Sequence, residues 1–248
     1  MNAYIVAGKR SAVGKAKKGG FRFTRPDDLA ADVIKNLVLS VKGLENEKID
    51  DLIVGNAVPE AEQGMQMARY ISLLALSKDV PGMIINRYCG SGLEAIHLAC
   101  ARVHAGTADC IIAGGTESMS MVPMTGYKSA LNYTISQQNP EYYLNMGLTA
   151  EELAKEYEIT RDMSDEFSFN SHQKALSAIK NGLFKDEIVP YLQNYTKAKY
   201  IENSDIMQFE GSTIHPYVFY YIHRNLEPRL ISEVEIGEQI DLKKFYKD

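Results

Sequence analysis

The segment Asn86-Arg87-Tyr88-Cys89-Gly90-Ser91-Gly92 puts a thiol at a corner. A short apolar run, PGMII, precedes it, and a stretch of small and apolar residues, LEAIHLACARVHAG, follows. If the run is a strand and the stretch a helix, Cys89 stands just ahead of the first helical turn. Gly90 and Gly92 would let backbone approach closely there. Unpaired N–H groups and the macrodipole at a helix start stabilise a thiolate, the nucleophilic form. The same N–H groups can hold a carbonyl oxygen as it turns negative in a tetrahedral intermediate. The competing reading is that Cys89 fills space in a core, as free cysteine commonly does. Strand, turn, cysteine and helix alone leave both readings open. Cys100, in mid-helix, and Cys110, opening the next strand, read as filler. His97 and His104 lie too far along the helix to reach Cys89, His172 reads as a solvated helix residue, and His215 and His223 fall in a segment without a clear pattern.

Other chemistries find no footing. AVGKAKKGG lacks the Gly-Lys-Ser/Thr of a phosphate-cradling loop. CGSG lacks the third glycine of a dinucleotide fingerprint. No His/Cys/Asp cluster has zinc spacing, so no metal and no tightly bound cofactor is expected. The formal charge of -5 and pI near 5.6 argue against nucleic-acid binding. The basic cluster GKRSAVGKAKK at 8–18 reads as a solvated loop. No apolar run reaches the length of a membrane span, and MNAYIVAGKR does not read as a secretory signal. Three cysteines without a CxxC pair suit a reducing, cytoplasmic setting.

The elements that must position Cys89 come from the hydrophobic pattern of a chain of 248 residues, 45% hydrophobic and 24% charged. AYIVA (3–7), DLIVGNAV (51–58), GMIIN (82–86) and DCIIAGG (109–115) read as buried strands. Helices are expected over 28–41, with Leu29, Val33, Leu37 and Val41 on one face, and over 65–76. A third, carrying Leu93, Ile96, Cys100 and Val103 on one stripe and slim Ala95, Ala99 and Ala101 elsewhere, is expected to be buried on most sides. This alternation predicts an α/β fold with one mostly parallel sheet covered by helices on both faces. It occupies residues 1–115. Residues 116–191 read as an inserted, largely helical lobe. There Thr149 and Glu152 form a capping box for TAEELAKEY, and a helix over 161–180 ends at Asn181-Gly182 in a left-handed cap. Residues 192–248 show no clear pattern, although ISEVEI (231–236) offers a candidate strand.

NRYCGSGLEAI resembles the nucleophile segment of the thiolases, in particular bacterial acetyl-CoA acyltransferases of fatty-acid degradation. AYIVAGKRSAVGK resembles that family's opening strand and loop, and IAGGTESMSMVPM its Gly-Gly-Thr-Glu-Ser-Met run. NMGLTAEELAKEYEITRDMSDEFSFNSHQKALSAIKNGLFKDEIVPY resembles its loop domain. These strings recur in one order over roughly residues 1–191. The resemblance implies a thiolase-like fold and a cysteine that carries an acyl group. Cys89 would attack the C3 carbonyl of a 3-ketoacyl-CoA, release acetyl-CoA and pass the acyl group to free CoA, with its backbone N–H as an oxyanion donor. Met146 would line the acyl and pantetheine pocket. Asn145, where the biosynthetic branch has histidine, fits a degradative enzyme. Glu117 and Ser118 would brace loops near a dimer interface.

The sequence also departs from that family. It contains no Asn-Glu-Ala-Phe, Gly-His-Pro or late Cys-x-Gly segment, the second-domain parts that supply the base and the α-carbon acid–base. His215-Pro216 lacks the glycine-rich context and reads as a chance match. The expectation is a thiolase-like fold with the second thiolase domain missing. Its partners would be coenzyme A and acyl-CoA esters, with a homodimer or a subunit carrying the other half. The alternative is a truncated or diverged protein that binds acyl-CoA or a partner without turnover.

Overall fold

The computed structural model describes residues 2–191, together with the short strands Tyr220–Tyr221 and Arg229–Leu230. The remainder of 192–248 lies outside the described residues, and with it His215, His223, the candidate strand 231–236 and most of the aromatic run 215–223. By their contacts the residues divide into two units. One runs to Tyr127 and resumes at Phe184, and the other is Lys128–Leu183.

The first unit is built on a parallel sheet of β1 (Asp51–Gly55), β2 (Gly82–Ile85) and β3 (Ile111–Gly115), in the order β2-β1-β3. Leu52 pairs with Gly82 on one side and Ile112 on the other, and Gly55 with Ile85 and Gly115. The chain leaves β1 for β2 in one direction and leaves β2 for β3 in the other. Crossovers between parallel strands keep one hand, so the two connecting helices fall on opposite faces. Accordingly α1 (Pro26–Ser40) and α2 (Met67–Ala75) pack with Leu52, Val54 and Ile112, whereas α3 (Ser91–His104) packs over Ile53, Ile111 and Ala113. The period-two alternation of each strand thus feeds two cores. All of β1 is buried, as a strand covered on both faces requires.

Three helix and strand expectations are corrected. In α1 the buried positions are Pro26, Asp27, Ala31 and Ile34, with Leu37 and Val38 packed beside the last two, instead of a stripe of Leu29, Val33, Leu37 and Val41. Steps of four overshoot a turn by roughly 40°, so those four residues spiral around the helix. In α3 the buried side is Ser91, Ala95 and Ala99, and Leu93 is 74% exposed, so the helix is covered on one side only. Residues 3–7 form no strand among the described residues, and Tyr4, Ile5 and Val6 are exposed. Strand propensity supplies no partner for the N–H and C=O groups. Pairing begins only at Arg10, whose N–H donates to Glu187 O and whose C=O accepts from Val189 N–H, both at 2.8 Å.

The second unit holds α4 (Tyr133–Gln138), a 3-10 turn at Pro140–Tyr143, α5 (Met146–Glu156) and α6 (Arg161–Lys180). None of its residues is buried. Its helices rely on local terms, and each has a side-chain cap. Asn132 accepts from Ile135 N–H, Asn145 from Leu148 N–H and Thr160 from Met163 N–H. The cap of α5 is therefore Asn145, four residues before the expected Thr149, whose hydroxyl instead donates back to Asn145 O at 3.1 Å. Glu152 pairs with Lys155. The α6 termination is as expected, with Gly182 at φ +69° and the N–H groups of Gly182 and Leu183 closing onto Ile179 O and Ala178 O.

Two outcomes follow for stability. Ile53 is fully buried between β1 and α3, so Ile53→Ala is expected to lower the unfolding free energy by about 2–5 kcal/mol in urea titrations. Asp50 accepts hydrogen bonds from the Cys110 and Asp109 N–H groups, which hold its carboxyl below the usual range. A depressed folded value means that this contribution is complete above the unfolded carboxylate value of about 3.9 and fades as pH falls through the folded one. Asp50→Asn is expected to flatten that part of the acid-unfolding curve.

Candidate active site

The carboxyl ends of the three strands release three loops on one edge of the sheet, where ligands of open α/β sheets gather. Cys89 lies on the loop after β2, in a 3-10 turn at Tyr88–Gly90 that runs directly into α3. It is exposed to solvent. The space-filling reading of Cys89 therefore loses its premise. Cys110 is half-buried against the α1/α2 core, and burial, then the Asp50 charge, push its thiol up. Cys100 is half-buried in mid-helix. His97 stands six residues into α3, roughly 9 Å of helix rise beyond its first residue, and His104 closes the last turn with Nδ1 3.1 Å from Cys100 O.

The turn is closed by short-range bonds. Gly90 N–H donates to Arg87 O at 3.0 Å and Tyr88 N–H to Asn86 Oδ1 at 2.8 Å. Ser91 Oγ donates to Tyr88 O at 2.6 Å and accepts from Arg87 N–H at 2.8 Å. Cys89 N–H makes no hydrogen bond among the described residues. Tyr88 sits at φ +47°, where a non-glycine residue stores about 1–2 kcal/mol.

The close backbone approach expected at Gly90 and Gly92 falls elsewhere. A Cβ on Gly92 would meet nothing within 4 Å, and one on Gly90 only Arg87 side-chain carbons at 3.9 Å. A Cβ on Gly55, the last residue of β1, would lie 2.5 Å from Ser91 C and 2.7 Å from Gly92 N. The first turn of α3 thus rests on the backbone of β1. The signal was present in DLIVG, since a lone glycine in a strand pattern marks close approach by another backbone.

The neighbouring loops are tied to each other. Glu117 accepts from Ala57 N–H at 2.7 Å and from Gln63 Nε2 at 2.6 Å. Gln63 is fully buried; its Nε2 also donates to Val58 O, and its Oε1 accepts from Ser118 N–H. Ser118 Oγ accepts from Met121 N–H at 3.3 Å. The Glu117 carboxylate and the Ser118 N–H thus meet a buried glutamine that the sequence reading missed. Asn56 Nδ2 donates to Thr116 O and Asn86 Nδ2 to Ala57 O, both at 2.9 Å, which joins all three loops. Met146 opens α5 in the second unit, 68% exposed, behind its cap Asn145.

Comparison with known proteins extends these observations. A family model described as thiolase, N-terminal domain, matches residues 3–216, past residue 191, where the resemblance read from the sequence stops. A 3-ketoacyl-CoA thiolase of Bacillus subtilis (strain 168) is 50% identical over 189 residues, 76% of this chain and 48% of the relative. One of Photorhabdus laumondii subsp. laumondii is 37% identical over 193 residues, 76% and 49% of the two chains. One of Acinetobacter baumannii (strain AYE) is 42% identical over 186 residues, 75% and 47%. The chain spans about half the length of the curated relatives it matches.

Paired urea titrations separate the two glycine positions. Gly55→Ala is expected to cost about 1–3 kcal/mol, because backbone must move to admit the methyl group. Gly92→Ala is expected to be neutral or mildly stabilising, since alanine suits a helix better than glycine.

Proposed function

The chain belongs to the thiolase family, and on that premise we propose that it serves an acyltransferase acting on 3-ketoacyl-CoA and CoA, with Cys89 as the acyl acceptor. The observation that carries this reading is the exposed thiol on the turn into α3, at the carboxyl edge of the sheet. Cys89 Sγ, as thiolate, attacks the C3 carbonyl of the ketoacyl-CoA. The carbonyl π electrons move to oxygen, which the Cys89 N–H stabilises. When the carbonyl re-forms, the C2–C3 bond breaks, the acyl group stays on sulfur and C2 takes a proton from water to leave as acetyl-CoA, a proton balanced by the one the incoming CoA thiol gives up. The thiolate of a second CoA then attacks the acyl-enzyme, and Cys89 leaves as thiolate. Two acyl transfers replace one hard carbon–carbon cleavage.

Met146 is the proposed lining residue for the acyl and pantetheine chain. Glu117 and Ser118 have a proposed bracing role, which the bonds of the Glu117 carboxylate to Ala57 and Gln63 and of the Ser118 N–H to Gln63 support. The names of the relatives support a reaction of 3-ketoacyl-CoA; Asn145 and the three cysteines without a CxxC pair are what favour the degradative branch and a reducing, cytoplasmic setting. Exposed Tyr70, Leu73 and Leu74 on α2 support association with a second copy or a complementary subunit.

The Gly-His-Pro and Cys-x-Gly segments are absent from these 248 residues. Loss of a general base alone typically removes about 10²–10⁴-fold of rate. For these 248 residues taken by themselves, the second reading is that they bind acyl-CoA without turnover. The 248-residue chain, incubated with acetyl-CoA and followed by intact mass, is expected to gain an acetyl group slowly on Cys89, and Cys89→Ala to gain none. Its thiolysis of acetoacetyl-CoA is expected to be negligible. Binding without any mass gain would favour the second reading, and robust thiolysis would contradict the role given to the absent segments.

A further inference from the structure

The turn ahead of α3 holds Tyr88 in a backbone conformation that its side chain does nothing to secure. Its φ is +47°, where the Cβ of an L-residue crowds the backbone, and its ring is 75% exposed. The polar groups of its backbone are held instead. Tyr88 N–H donates to Asn86 Oδ1 at 2.8 Å, and Tyr88 O accepts from Ser91 Oγ at 2.6 Å. Both holding side chains are themselves anchored. Asn86 Nδ2 donates to Ala57 O on the loop after β1. Ser91 Oγ accepts from Arg87 N–H, and Ser91, 4% exposed, sits where Gly55 admits the helix.

We infer that Asn86 and Ser91 are positioning residues for Cys89, clamping Tyr88 in the left-handed region and so setting the direction in which the next residue presents its thiol and its N–H. The inference rests on Cys89 as acyl acceptor and adds the residues that aim it. Both groups of Cys89 must address one carbonyl, the sulfur its carbon and the N–H its oxygen. A relaxed Tyr88 would rotate the following peptide plane and separate the two. Near-attack geometry tolerates little misplacement. Neither side chain touches the acyl group in this account; they act through the backbone between them.

The test uses the 248-residue chain with Asn86→Ala, Ser91→Ala and Tyr88→Gly, singly and with Tyr88→Gly added to each of the other two. Two rates at Cys89 are followed by peptide mass, with Cys89→Ala as background. One is acetyl transfer from acetyl-CoA. The other is alkylation by iodoacetamide, in which a sulfur–carbon bond forms and iodide leaves. Asn86→Ala and Ser91→Ala are expected to slow both by about tenfold or more while the far-UV circular dichroism is unchanged. Glycine adopts the left-handed region without strain, so with Tyr88→Gly in place the loss is expected to shrink to about threefold or less. Wild-type rates in both single variants overturn the inference. A loss that Tyr88→Gly does not reduce overturns it too, since it would mark general support of the fold. If the unsubstituted chain takes no acetyl group, the acyl-acceptor reading fails, while the alkylation rates still decide the clamp. Asn86 is exposed, so it carries the test should Ser91→Ala fail to fold.

Discussion

The structure depends on a contact between two backbones. Gly55 ends β1 with no side chain, and the first turn of α3 occupies that space. Because Ser91 and Gly92 rest there, the residues just before them overhang the carboxyl edge of the sheet instead of entering a core. Cys89 is exposed for this reason. The small residues Ser91, Ala95 and Ala99 continue the same close approach along the helix. A bulkier stripe would lift α3 away and take the thiol with it, since packed interiors do not absorb an extra methylene without strain.

That edge is rigid for a second reason, which is polar. The loops after β1, β2 and β3 are tied through Asn56, Asn86 and Glu117 to one another's backbones, around the buried Gln63. Each of these bonds joins segments that are distant along the chain. A buried amide with its partners in place holds loops in a single arrangement, because releasing any of them strands a polar group. Residues 128–183 show a contrasting design, in which helices without a buried residue rely on side-chain caps and a left-handed glycine stop.

Periodicity located β1, β2, β3 and the helices α1, α2, α3 and α6, because each carries its apolar pattern within a few turns or a few alternations. It assigned a strand to residues 3–7, which pair with no strand among the described residues, and a strand exists only beside another. It chose the wrong cap for α5, because Asn145 and Thr149 are both good caps and local sequence does not rank them. It expected α3 to be buried on most sides, whereas only the side of Ser91, Ala95 and Ala99 is covered, because the contact with Gly55 admits small residues alone.

The order of the elements, the placing of a cysteine at the corner between strand and helix, and the family to which these strings belong were all determined by the sequence alone. Each is a property of neighbouring residues or of their order. The tertiary structure alone decided that Cys89 faces solvent, that Gly55 and not Gly92 makes room for the helix, and that Gln63 sits beneath Glu117. Those facts depend on residues about 30 to 60 positions apart meeting in space, and such meetings are set by how two helices cross a twisted sheet on opposite faces.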